Sequence, residues 1–87
     1  MNDVYNKNYR IVVSEFLTQQ RSARNYTLEQ LSRYIGVSKN TYYCYERGTR
    51  EITMDTFIAL CRLYNLDIKE TFKQIHNKSL ELSLREL

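Results

Sequence analysis

Between Ser38 and Gly48 the chain reads S-K-N-T-Y-Y-C-Y-E-R-G, and five of these side chains form a set suited to reading a polar edge. At helical spacing Lys39, Asn40, Tyr43 and Cys44 share one face, with Thr41 beside them, while Tyr42 and Tyr45 fall on the other. Lys39 brings ammonium donors, and Asn40 pairs a donor with an acceptor in one flat carboxamide. Thr41 and Tyr43 each add a hydroxyl and an apolar surface. Bond-making chemistry has no comparable set. His76 is the only histidine and stands in a polar stretch away from both cysteines. No glycine-rich phosphate loop, nucleophile elbow or paired carboxylates on a cleft-forming element can be found. No catalytic residue, cofactor or metal site is expected.

The stretch must be held by its neighbours, and Thr27 to Gly48 shows how. Thr27 is a helix N-cap, and Gln30 three residues later completes a capping box. Leu28, Leu31 and Ile35 mark an apolar face, and Gly36 stops the helix by taking the left-handed conformation. Val37 is an apolar plug, and Ser38 caps a second helix from Lys39 to about Arg47, which Gly48 ends. Two short helices joined by a three-to-four-residue turn with glycine make a helix-turn-helix over residues 27–48. In that motif the second helix lies in the major groove of DNA, with its N-terminal residues at the base edges. Base contacts then fall to Lys39, Asn40, Thr41, Tyr43 and Cys44. Lys39 can donate to guanine O6 and N7, Asn40 can bond adenine N6 and N7, and Thr41 or the Tyr43 edge can meet a thymine methyl. Each good bidentate contact discriminates by ~1–3 kcal/mol. Phosphate contacts are assigned to Thr27, the Leu28 amide, Ser38, Arg47, Arg50 and Arg24, because helix starts offer free amides to anions. Arg33 fits either a phosphate contact or an exposed face.

The stretch from Phe16 to Phe72 resembles the helix-turn-helix domain of lambda-type phage repressors and xenobiotic-response-element-type regulators. Arg21, Thr27, Leu31, Ser32, Gly36, Val37, Ser38, Tyr45, Glu46, Arg47 and Gly48 match its pattern in gap-free register. The resemblance implies an all-α, four- to five-helix domain in which the helix-one Arg21 pairs with Glu46 as a semi-buried brace. It also implies a transcriptional regulator. Three positions depart from the pattern. Leu28 stands where many members carry a phosphate-contacting Gln, Ile52 where a Pro often opens the next helix, and Tyr42 where a smaller aliphatic sits.

Composition agrees with one small helical domain. The chain has 87 residues, no Pro and two Gly, with 43% hydrophobic and 26% charged residues, which favours helices and short loops over strands or disorder. Cys44 and Cys61 lack disulfide or metal spacing and point to a reducing cytoplasm. No apolar run approaches the ~18 residues of a membrane helix. Residues 1–50 hold eight Lys/Arg against four Asp/Glu, and residues 51–87 hold five against six. The basic half therefore contains the helix-turn-helix, as a polyanion footprint requires.

Elsewhere, residues 1–8 read as a loose N-terminus and residues 9–76 as the DNA-binding domain. A first helix runs from about Asn8 to Arg24, with Val12 or Val13, Phe16, Leu17 and Gln20 inward. Arg24 is exposed after it, and Tyr26 turns inward. Thr53 caps a fourth helix whose core stripe is Met54, Phe57, Ile58, Cys61 and Tyr64. Asn65 breaks it, and Asp67 with Glu70 forms a capping box for a fifth. Residues 77–87 are a leucine-rich dimerisation segment. There Leu80, Leu82 and Leu84 alternate as in a strand, while Leu80, Leu84 and Leu87 fit a helix equally well. Either way the tail carries more leucine than a small monomer covers, so it should meet another chain or fold back on its own.

The expectation is thus a five-helix, lambda-repressor-like domain that binds double-stranded DNA as a homodimer. It would repress a phage, plasmid or other mobile element at a palindromic operator, since the length leaves no room for a separate activation or sensing domain. The alternative is a protein-interaction adaptor, or an antitoxin that binds both DNA and a toxin.

Overall fold

The computed structural model describes residues 3–87, which form five helices: α1 (Asp3–Ala23), α2 (Leu28–Ile35), α3 (Lys39–Arg47), α4 (Met54–Leu63) and α5 (Ile68–Arg85). Local signals set most of the boundaries. The Thr27 hydroxyl accepts from the Gln30 amide at 3.0 Å, and the Gln30 side chain accepts from the Thr27 amide at 2.8 Å, closing the capping box. Ser38, Thr53 and Asp67 cap α3, α4 and α5 through the amides of Thr41, Thr56 and Glu70. Gly36 and Gly48 end α2 and α3 at φ +76° and +74°, where a Cβ is disfavoured. Asn25 and Asn65 take the same left-handed turn after α1 and α4. Asparagine tolerates it better than most residues.

The core is built from Val12, Val13 and Leu17 of α1, Leu31 of α2, and Tyr42 and Tyr45 of α3. Phe57, Leu60, Cys61, Tyr64 and Ile75 complete it. Burial pushes the Cys61 thiol above its ordinary range, so this cysteine acts as a small apolar core residue. Met54 is 61% exposed and so leaves the expected stripe. It is the first residue of α4, and Leu60 joins Phe57 and Cys61 in the buried stripe instead.

At the chain ends one expectation is corrected and one open choice is settled. Residues 3–7, read as loose, belong to α1, while Met1 and Asn2 lie outside the described residues. This first part of α1 is held by α5. The Tyr5 hydroxyl bonds His76 Nδ1 at 2.7 Å, and Asn8 Nδ2 donates to Ser83 Oγ at 3.1 Å and Glu86 Oε2 at 2.8 Å. At the other end, residues 77–85 are not strand; they continue α5. The α5 face turned inward carries Thr71, Ile75, Ser79 and Ser83, spaced by four. The small size of Thr71, Ser79 and Ser83 permits close approach to α1. The three hydroxyls donate to the carbonyls of Asp67, Ile75 and Ser79 at 2.7, 2.7 and 2.8 Å, so none of the three is stranded. Leu82 is half-buried, while Leu80, Leu84 and Leu87 remain exposed.

Candidate nucleic-acid interface

The α2–α3 pair is fastened to α1 by an ion pair. Arg21 donates through Nε to Glu46 Oε2 at 2.7 Å and through Nη2 to Glu46 Oε1 at 3.0 Å. The remaining nitrogen, Nη1, donates to the Tyr26 carbonyl at 3.0 Å. One guanidinium therefore ties the end of α3 to the loop that enters α2. The Glu46 side chain is only 6% exposed, and the planar fork of Arg satisfies both of its oxygens. Thr18 Oγ1 adds a longer contact of 3.4 Å to Glu46 Oε1. The Glu46 hydrogen bond, more than any other influence, raises the Arg21 pKa above its ordinary value.

Tyr42 occupies the position where the resemblance expects a smaller aliphatic, and its ring is fully buried, edge-on to Tyr45 at 6.2 Å. Its hydroxyl lies near Glu46, whose carboxylate is directed at Arg21, and makes no hydrogen bond of good geometry. The Tyr64 hydroxyl is likewise buried without a partner among the described residues. Burial, the first cause in each case, pushes Tyr64 up to about 12 and Tyr42 higher still.

On the outer face of α3, Lys39, Asn40, Tyr43 and Arg47 are exposed, and Thr41 and Cys44 are half-buried. These groups do not stand equally free. Lys39 Nζ is 2.7 Å from Glu29 Oε1 across the α2–α3 turn. This hydrogen bond, followed by the Glu29 amide in the first turn of α2, holds the Glu29 carboxyl below its usual value. The Thr41 hydroxyl oxygen accepts from Ser38 Oγ at 2.9 Å and from Arg50 Nη1 at 3.3 Å, which draws Thr41 into the cap. The Arg47 guanidinium stands 5.5 Å from the Tyr43 ring centroid. Asn40 projects from the first turn of α3 between Lys39 and Tyr43. Leu28, at the start of α2, joins Lys39, Asn40 and Tyr43 around an open recess of about 290 Å³.

Of the expected phosphate residues, Thr27, Leu28 and Ser38 stand at the starts of α2 and α3, and Arg47 and Arg50 at the end of α3 and just beyond it. Arg24 is corrected. It is half-buried, and its guanidinium lies 4.4 Å from the Tyr64 ring centroid. It donates to the Gln20 carbonyl at 3.1 Å, Gln20 Oε1 at 2.6 Å and the Tyr64 carbonyl at 3.2 Å. Its donors are directed into the protein, where it stitches α1 to the end of α4. The exposed Arg33 sits in the last turn of α2. Sequence reasoning missed the Glu29–Lys39 pair, because ten residues across a turn is not a recognisable spacing. It also missed Arg24 on Tyr64, a contact between residues forty apart.

Among the described residues no helix is long and apolar enough to cross a membrane. Comparison with known proteins places this geometry. Residues 17–70 match the family model described as "Helix-turn-helix". An uncharacterized HTH-type transcriptional regulator, YobD of Bacillus subtilis, is 36% identical over 52 residues, or 60% of this chain and 46% of that protein. The cryptic phage CTXphi transcriptional repressor RstR of Vibrio cholerae is 38% identical over 50 residues, 58% of this chain and 45% of its own. A putative HTH-type transcriptional regulatory protein of Thermoplasma volcanium, TV0294, is 30% identical over 78 residues, 90% of this chain and 25% of its own. The chain thus spans less than half the length of each of these relatives. No solved structure gives a match. With the capped α2–α3 pair in place and the model match extending over more than half its length, the chain belongs to the lambda-repressor-like helix-turn-helix family.

Proposed function

We propose that this chain is a sequence-specific, double-stranded-DNA-binding repressor that lays α3 in the major groove and acts as a homodimer on a palindromic operator. The observation that carries the reading is the braced α3. Arg21 and Glu46 fix its end, its first turns present Asn40 and Tyr43 outward, and Arg47 and Arg50 follow at the side. Asn40 is the foremost base reader, since its side chain is exposed and its carboxamide matches adenine. Arg47 and Arg50, with the starts of α2 and α3, position the backbone. The exposed Leu80 and Leu84 on the outer side of α5, with Leu87 just beyond its end, supply the dimer surface. Similarity to a protein named as a cryptic-phage repressor supports a role on a mobile element.

A protein-interaction adaptor that uses the same fold without DNA is the second reading. Glu29 favours it, because its carboxylate neutralises Lys39 at the front of the interface. Selection of bound sequences from random duplex DNA at near-physiological salt separates the two. A repressor enriches a palindrome with half-sites about 34 Å apart and loses affinity steeply with salt. Absence of enrichment would count for the adaptor. On the enriched site, Asn40→Ala should relax specificity at one base position by ~1–3 kcal/mol. Arg50→Ala should weaken all sequences alike. Equal losses on specific and random DNA for Asn40→Ala would sink its assignment as a reader.

A further inference from the structure

The recess between α2 and α3 is the feature that general DNA binding does not explain. It is lined by Leu28 and Tyr43 together with Lys39 and Asn40. Leu28 is half-buried against the core and Tyr43 is 43% exposed, so an apolar surface is held open within a polar face. Such a surface is unfavourable in water and gains from any apolar group that enters it. The major groove offers one apolar group at its base edges, the 5-methyl of thymine. Arg47, whose guanidinium stands 5.5 Å from the Tyr43 ring centroid, puts a cation beside the recess that suits the phosphates of a duplex, a charge match that a neutral partner lacks.

We propose that Leu28 and Tyr43 form a specificity pocket for a thymine methyl, within one base step of the base read by Asn40. This rests on the DNA-binding reading and adds a second reader to it. Asn40 selects by hydrogen bonds, whereas Leu28 and Tyr43 select by excluding water from a methyl. Leu28, a residue of α2, thereby becomes a base-specifying side chain as well as a backbone donor to phosphate.

The test replaces each thymine of the selected operator, one at a time, with deoxyuridine, which lacks only the 5-methyl. Binding should weaken about fourfold at one thymine per half-site, the factor that corresponds to one buried methyl-sized group. In Leu28→Ala the thymine-to-uracil ratio at that position should fall towards one. Tyr43→Ala, at an exposed position, should do the same and guards against misfolding of the Leu28 variant. Circular dichroism of both variants reports their fold. A specific operator with no uracil penalty at any position would overturn the pocket and leave the operator reading intact. A penalty unchanged in both variants would also overturn it, because the methyl would then act through DNA shape. Failure to enrich any sequence would remove the operator reading and the pocket together.

Discussion

Replacing Arg21 by Met leaves the Glu46 carboxylate in place without its cation. Glu46 is 6% exposed, and Arg21 supplies two short hydrogen bonds to it at 2.7 and 3.0 Å. Breaking a buried pair from one side costs ~3–5 kcal/mol, since the remaining charge is desolvated and unpaired. The Thr18 hydroxyl still reaches Glu46 at 3.4 Å, and Arg21 itself is 21% exposed. Both soften the loss and place it near ~3 kcal/mol at the lower end of that range. In a domain of this size 1 kcal/mol moves Tm by about 4–8 °C, so Tm should fall by roughly 12–24 °C. Urea titration followed by circular dichroism should show the midpoint moving with little change in slope. The double variant Arg21→Met/Glu46→Leu should recover most of the loss, because no charge is then stranded. About 1 kcal/mol should remain missing for the Arg21 bond to the Tyr26 carbonyl. The raised Arg21 pKa means that the pair is intact below the ordinary arginine value and is lost only as pH climbs past the raised one. Neutral and alkaline melts should therefore agree on its contribution. A loss below ~1 kcal/mol for Arg21→Met, the range of exposed pairs, would refute the view that Glu46 is buried in solution.

The buried tyrosines, Glu29 and the tail give further expectations. Tyr42→Phe removes a buried hydroxyl without a partner, so stability should hold or rise by up to ~1 kcal/mol; a clear loss would mean that the hydroxyl is hydrogen-bonded. Tyr64 is raised to about 12, so its contribution is complete below pH 10 and is lost as pH climbs towards 12. The alkaline unfolding midpoint should accordingly move up in Tyr64→Phe, as read by circular dichroism. Glu29→Gln should release Lys39, strengthen binding to all duplexes and steepen the salt dependence by about one phosphate; weaker binding would show that Glu29 positions Lys39 for readout. Leu84→Glu should give a folded monomer by sedimentation with operator affinity much reduced, because Leu84 is exposed on α5; an unchanged dimer would move the interface elsewhere.

What the sequence alone determined here is what neighbouring residues settle among themselves. Thr27 with Gln30, Ser38 with the amide of Thr41, and Gly36 and Gly48 in left-handed turns act over three or four residues. The α2–α3 motif and the face carrying Lys39, Asn40 and Tyr43 were therefore legible before any fold. The Arg21–Glu46 pair spans twenty-five residues and was reachable only through resemblance. Tertiary structure alone decided the rest. The alternating leucines after Lys78 suit strand and helix equally, and packing on α1 through Ser79 and Ser83 chose helix. That choice turned Leu80 and Leu84 outward and ordered Asn8 against Ser83 and Glu86. Arg24 had nothing local to distinguish it from a phosphate ligand until the Tyr64 ring came beneath it. Lys39 and Glu29 meet only because the turn folds α3 beside α2. Polar side chains have no periodicity that names their partners; the fold brings those partners within reach.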